Sequence, residues 1–209
     1  DKGTALLAKA IEQDATFPVL SANLFGSKNL SAEHYHPALI GVAKGLRVGI
    51  IGLTTQHEML LKTKEDPKLD AGDLLVTLEN TVHFVNQLAD VIILLTHVGY
   101  NGEHPLNVGD IEIADAAAKM TNKPIVIAGG HLHLPINTEG LNIVDRSVPI
   151  LEAGSKGSHL GEAIYSLLPT DGGLRYHLTA RLIPLKKRDD RVGKDDPDYD
   201  NYEHDDDLD

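Results

Sequence analysis

The 209-residue chain contains no cysteine, no tryptophan, three phenylalanines and six tyrosines. Without cysteine there are no disulfides and no thiolate metal sites, although this absence does not choose a compartment. With so few aromatic rings, aliphatic side chains must fill most of the core. No apolar run approaches the roughly 20 residues that span a bilayer, so no membrane crossing is expected. Basic residues are also in short supply: 19 Lys and Arg stand against 31 Asp and Glu, for a net charge of −12. Such a chain is poorly suited to hold nucleic acid through its phosphates, and no nucleic-acid partner is expected. Several motifs are absent as well. No serine lies in a G-x-S-x-G elbow, and the glycines of "GLTT" and "GSKG" fit neither P-loop nor dinucleotide spacing.

The negative charge is concentrated at one end. Residues 189–209 hold eleven acids against Arg191 and Lys194, a net of −9, which leaves −3 for the rest. Hydrophobic content over the whole chain is 42 %, ordinary for a globular protein; residues 1–187 read as one globular domain, and 188–209 as a solvated acidic linker or tail. The tail "DDPDYDNYEHDDDLD" lacks the ligand spacing and central glycine of a calcium loop. The chain begins at Asp1 and not at a methionine, with no signal-like segment at its start.

Hydrophobic periodicity gives an alternating order of elements. Residues 3–13 place Leu6, Leu7, Ala10 and Ile11 on one helical face. "FPVLSANLF" (17–25) reads as a strand entered at Pro18. "LRVGIIGLTT" (46–55) is a short continuous apolar run that suits a strand buried on both faces. In residues 72–89, Leu74, Leu78, Val82, Val85 and Leu88 recur every three or four positions, which predicts an amphipathic helix capped by Asp73. "DVIILLTHVG" (90–99) and "PIVIAGGHLH" (124–133) are two more buried strands. Between them lies a short helix (109–120) with Asp110 as its cap. Strand, helix, strand, helix, strand implies parallel pairing with right-handed crossovers. From residue 140 onward, short strand-like segments separated by Gly and Pro suggest a largely antiparallel second layer.

Two of these strands end in histidine: one at His97, the other at His131 and His133. Ligands of α/β sheets sit beyond the carboxyl ends of parallel strands. If the second segment stays extended, His131 and His133 point to the same side. Neutral imidazole binds Zn, Co, Ni, Cu and Fe well, and three imidazoles can hold one zinc ion by themselves. Gly129 and Gly130 allow close backbone approach and a sharp turn into such a site. The remaining histidines are weaker candidates. His34 and His36 lie in a polar loop, and His57, His83, His177 and His204 have no motif around them.

Taken in order, "FPVLSANLF", "LRVGIIGLTT", "IILLTHVG", "IVIAGGHLH" and "PILEAGSKGSHLGEA" resemble the calcineurin-like metallophosphoesterases of the 5'-nucleotidase family. The similarity covers about residues 1–187. It is greatest to the bacterial periplasmic UDP-sugar hydrolase/5'-nucleotidase branch, through "THVGYNGEHPLNVGDIEIA" and its Asn101-Gly102-Glu103-His104 element. The resemblance implies an α/β fold, a two-layered β-sheet sandwich flanked by helices, here lacking its first strands. It also implies a centre of two divalent metal ions (Zn, Mn, Co, Mg or Fe), in which His97 and His131 ligate one metal and His133 the other. Close bacterial relatives usually carry Gln where this chain has His133. His104 receives no role by this resemblance, and His159 reads as structural.

Such a centre clamps a phosphate between two cations about 3.5–4 Å apart and activates a bridging water. The family's other ligands come from upstream "D-x-H", "GD" and "GNHEFD-x-G" elements. The first two do not occur here, and "DKG" looks like the end of the third. The nucleoside-binding C-terminal domain is likewise absent from these residues. The activity implied is metal-dependent hydrolysis of phosphoester or pyrophosphate bonds in nucleotides or nucleotide sugars, completed by an upstream segment or companion chain. The location implied is periplasmic or secreted. No catalytic or substrate-binding side chain is assigned. The alternative is a non-catalytic metal-binding remnant or proteolytic fragment that uses only its histidines.

Overall fold

The computed structural model describes residues 3–56, 64–102, 108–137, 142–143, 146–171 and 173–185. The acidic tail and the proposed boundary near residue 187 lie outside them. The spine is three adjacent parallel strands, β3 (Leu46–Thr54), β5 (Val91–His97) and β6 (Ile125–Gly129). They extend to a six-stranded sheet. On one side β2 (Ala38–Ala43) pairs antiparallel with β3. On the other, β10 (Ile150–Ala153) runs parallel to β6, and β7 (Pro135–Asn137) closes the edge antiparallel to β10.

Helices α2 (Leu74–Leu88) and α3 (Asp110–Met120) are the crossovers, and both pack on one face of this sheet. The sequence dictates that face. In α2, Leu74, Leu78, Val82 and Val85 are all buried, while Val76 and Phe84 point away at 58 % and 62 % exposure. They meet Ile51 of β3, Ile92 and Leu94 of β5, and Ile125 and Ile127 of β6. Each fully buried aliphatic side chain contributes about 1.5–3 kcal/mol, so this layer supplies most of the core. Asp73 caps α2 as expected, its carboxylate accepting from Val76 N at 2.9 Å.

The opposite face is covered in part by the long antiparallel hairpin β11 (His159–Thr170) and β12 (Gly173–Pro184). It makes a smaller core in which Ala163, Tyr165, Leu178 and Leu182 close over Val126, Leu151 and Ala180. The hairpin is the antiparallel second layer expected from the sequence. "VPILEAG" differs, because β10 joins the main sheet as a parallel strand. Two further two-residue pairs complete the strands: β1 (Leu24–Phe25) with β4 (Asp70–Ala71), and β8 (Asn142–Ile143) with β9 (Arg146–Ser147).

Two other expectations need correction. "FPVLSANLF" forms a strand only at β1, with one isolated bridge between Leu20 and His36. Pro18 has no N–H to give a ladder. Asn23 instead spends its side chain on β3, donating to Thr54 O at 2.7 Å and accepting from Thr54 N at 2.9 Å. This segment also crosses β3 so closely that a Cβ on Gly52 would collide with the Leu20 backbone. The first helix, α1 (Thr4–Gln13), forms where expected but buries Thr4 and Ala8, leaving Leu6 and Leu7 about half exposed. Its placement follows a polar lock: Asp66 accepts from the Thr4 hydroxyl at 2.7 Å and the Ser27 hydroxyl at 2.5 Å.

The contrast within α2 gives a direct check. Leu78→Ala, at a site with 0 % exposure, is expected to lose about 2–5 kcal/mol in urea unfolding. Val76→Ala, two positions away on the outer face, should stay within about 0.5 kcal/mol of the parent. Equal losses would contradict the assignment of the buried face.

Candidate metal centre at the strand ends

β3, β5 and β6 run in the same direction, so their carboxyl ends open on one edge of the sheet. Thr54 and His97 are register partners there, and the Thr55 N–H donates to the His97 carbonyl at 3.1 Å. Beyond β5 and β6 the two following loops are tied together, with Gly99 N donating to Gly130 O at 3.1 Å. Gly99, at φ 86°, takes a left-handed conformation that suits glycine. A Cβ added there would touch the His131 ring at 3.4 Å. These loops bring the His97 and His131 rings edge to face, with centroids 5.2 Å apart and planes at 72°.

That separation fits a shared ion. Two imidazoles bound tetrahedrally to one zinc at about 2.0–2.1 Å have centroids roughly 5 Å apart. Gly130 has its bare Cα side toward His97 Nδ1, where a Cβ would lie 3.5 Å away. The His97 pKa lies below the usual imidazole value, because desolvation and then the nearby His131 and His133 disfavour the protonated ring. A ring with that tendency keeps its lone pairs available to a metal at neutral pH.

His133 departs from the extended reading. The chain leaves β6 at Gly129 and must reverse direction to enter β7, which runs antiparallel to β10 and hence to β6. Five residues make that reversal. Within it His131 and His133 both take positive φ, at 104° and 58°, so strand alternation no longer places them on a common side. His133 is exposed, although it remains near enough to act electrostatically on His97. Among the described residues, no cluster of three or more His, Asp or Glu side chains forms a metal cage. The structure thus brings together two of the three expected ligands.

The other histidines are accounted for locally or lie elsewhere. His34 accepts from Ser31 N and pairs with Glu12 at 3.0 Å. His159 Nδ1 lies 3.0 Å from the Ser158 hydroxyl. His36, His83 and His177 are exposed. His57, His104 and His204 fall outside the described residues.

A group of polar residues behind the histidine turn escaped the sequence reading. Asp110 is not the cap of α3: Gly109 takes that position, and its N–H donates to the Glu112 carboxylate at 2.9 Å. Asp110, the first residue inside the helix, is turned inward and 0 % exposed, and Glu152 of β10 is 1 % exposed. The available signal was an acid inside the apolar "PILEA" strand.

No family model matches the chain, and no curated protein does either. Solved structures do match. The 5'-nucleotidase precursor of Thermus thermophilus superposes with a TM-score of 0.65 at 24 % identity, over 88 % of this chain and 37 % of its own. The NAD nucleotidase of Haemophilus influenzae gives 0.63 at 24 % identity, with the same two coverages, 88 % and 37 %. The calcineurin-like phosphoesterase YfkN of Bacillus subtilis gives 0.61 at 20 % identity, over 81 % of this chain and 56 % of its own. The chain therefore spans well under two thirds of each. Its parallel spine, crossover helices and covering hairpin give it the fold of the calcineurin-like 5'-nucleotidase family.

Proposed function

We propose that this chain forms part of a metal-dependent phosphoesterase acting on nucleotides or nucleotide sugars, with His97, His131 and His133 as metal ligands. The observation that carries the proposal is the convergence of His97 and His131 at the ends of adjacent parallel strands. A bound pair of divalent cations would supply charge neutralisation for the phosphate and a water of lowered pKa. His97 and His131 serve as neutral nitrogen donors to one ion, Zn, Mn, Co, Mg or Fe, and His133 serves the other. Gly99 and Gly130 keep the approach between the rings free of side chains. The remaining ligands would come from an upstream segment or companion chain. A periplasmic or secreted location accords with this reading, and no helix among the described residues is long and apolar enough to cross a membrane.

A second reading is a metal-binding protein without hydrolysis. It draws on the two converging rings and on the lack of a third clustered ligand among the described residues.

Metal binding is measurable directly. Calorimetric titration of the chelator-treated protein with Zn²⁺ is expected to show binding that His97→Ala and His131→Ala each weaken at least about tenfold. His34→Ala should leave it unchanged, since that ring is engaged by Glu12 and Ser31. Binding that survives both variants would remove the site.

Hydrolysis separates the two readings. With the upstream segment supplied and Mn²⁺ or Zn²⁺ present, release of phosphate from AMP or of UMP from UDP-glucose is expected. His131→Ala should lower kcat at least about a hundredfold, within the range that a single stabilising group can supply. Metal binding without turnover would favour the second reading.

A further inference from the structure

Behind the histidine turn, on the helix side of the sheet, Thr96 of β5, Gly129 of β6 and Glu152 of β10 face the first turn of α3. Glu152 and Gly129 are register partners. The space where a Gly129 side chain would stand is taken by the Asp110 carboxylate, and Glu152 Cγ lies 3.2 Å from the same point. The Asp110 carboxylate and the Glu152 side chain therefore meet over one bare glycine. Both are fully buried, and none of their four oxygens has a hydrogen-bond partner. The Thr96 hydroxyl, also buried and without a hydrogen-bond partner of good geometry, lies close enough to Asp110 to favour its charged form.

Two adjacent buried carboxylates cannot both stay ionised, because each loses its hydration and repels the other. Asp and Glu are almost never fully buried unless paired. Protonation removes the charge and with it most of the desolvation cost. We propose that Asp110 and Glu152 are held protonated, and that this pair is a pH-sensitive latch holding the start of α3 against the ends of β6 and β10. The latch sits two residues behind His131, at Gly129. The inference rests on the fold alone and stands whether or not the strand ends bind metal.

The electrostatic surroundings agree. Burial pushes Asp110 up to about 7; the neighbouring Thr96 hydroxyl opposes this, while Glu152 and then Glu112 add smaller effects in the same direction as burial. Burial likewise pushes Glu152 up to about 7. In the unfolded chain these groups titrate near about 3.9 and 4.3. Raised folded-state values give the sign: the pair's contribution is fully present below about pH 4 and is lost as pH rises through about 7. Glu152→Gln, which replaces the neutral acid by a neutral amide, should remove the part of that slope that Glu152 contributes and leave the part that burial of Asp110 gives.

Two measurements test the latch. Difference infrared spectroscopy of the purified protein at about pH 6 should show a protonated carboxylic acid whose signal fades between about pH 6 and 8. That signal should be absent from the Asp110→Asn/Glu152→Gln double variant. Thermal unfolding from about pH 5 to 8 should show a fall in Tm that is clearly smaller in Glu152→Gln. If the parent shows no protonated carboxyl under the acidic condition, the proposal fails, even where the variants do not fold. It fails equally if Glu152→Gln tracks the parent's slope. It also fails if chelator treatment at the alkaline end destabilises the parent but not the double variant, because a cation and not protonation would then neutralise the pair.

Discussion

The hydrogen-bonded position of β5 between β3 and β6 is the constraint on which the rest depends. A strand paired on both sides can present its end only where its neighbours present theirs. Parallel direction puts all three carboxyl ends on one edge. The helix-facing side is fixed by Ile51, Ile92, Leu94, Ile125 and Ile127, none more than 2 % exposed. A one-residue slip would turn those side chains to the other face. The register that buries the core is therefore the one that sets His97 beside Thr54 and brings the loop after β6 over it.

Glycine shapes the rest of that edge. Gly99 and Gly130 are joined through their backbones, and each leaves room for an imidazole from the opposite loop. Gly129 makes room on the reverse side of the sheet, where the Asp110 carboxylate enters. The run "AGGH" thus has two functions. One glycine admits the Asp110 carboxylate behind the sheet, and the next clears the approach to His97 in front of it.

Much of this was legible in the sequence. The spacing of Leu74, Leu78, Val82 and Val85 marked α2 and its buried face. The three apolar runs marked the parallel spine, and the histidines at two of their ends marked the edge on which the His97 and His131 rings converge. What escaped depended on tertiary geometry. The extended reading of His131 and His133 failed because β7 runs antiparallel to β10, which forces a reversal at positive φ and which local pattern does not encode. "FPVLSANLF" has the composition of a strand, but Asn23 and Gly52 make it a crossing segment. Asp110 looks like a helix cap in sequence because Asp commonly is one. Only the packing of α3 on Gly129 and Glu152 shows that its carboxylate faces the interior.

The convergence of His97 and His131 is tested most directly by X-ray absorption at the zinc edge of the zinc-loaded protein. The spectrum should contain at least two imidazoles bound at about 2.0–2.1 Å, and their scattering should fall when His97 and His131 are both replaced by alanine. A coordination shell made only of oxygen, or one unchanged by the double replacement, would show that the two rings do not share an ion.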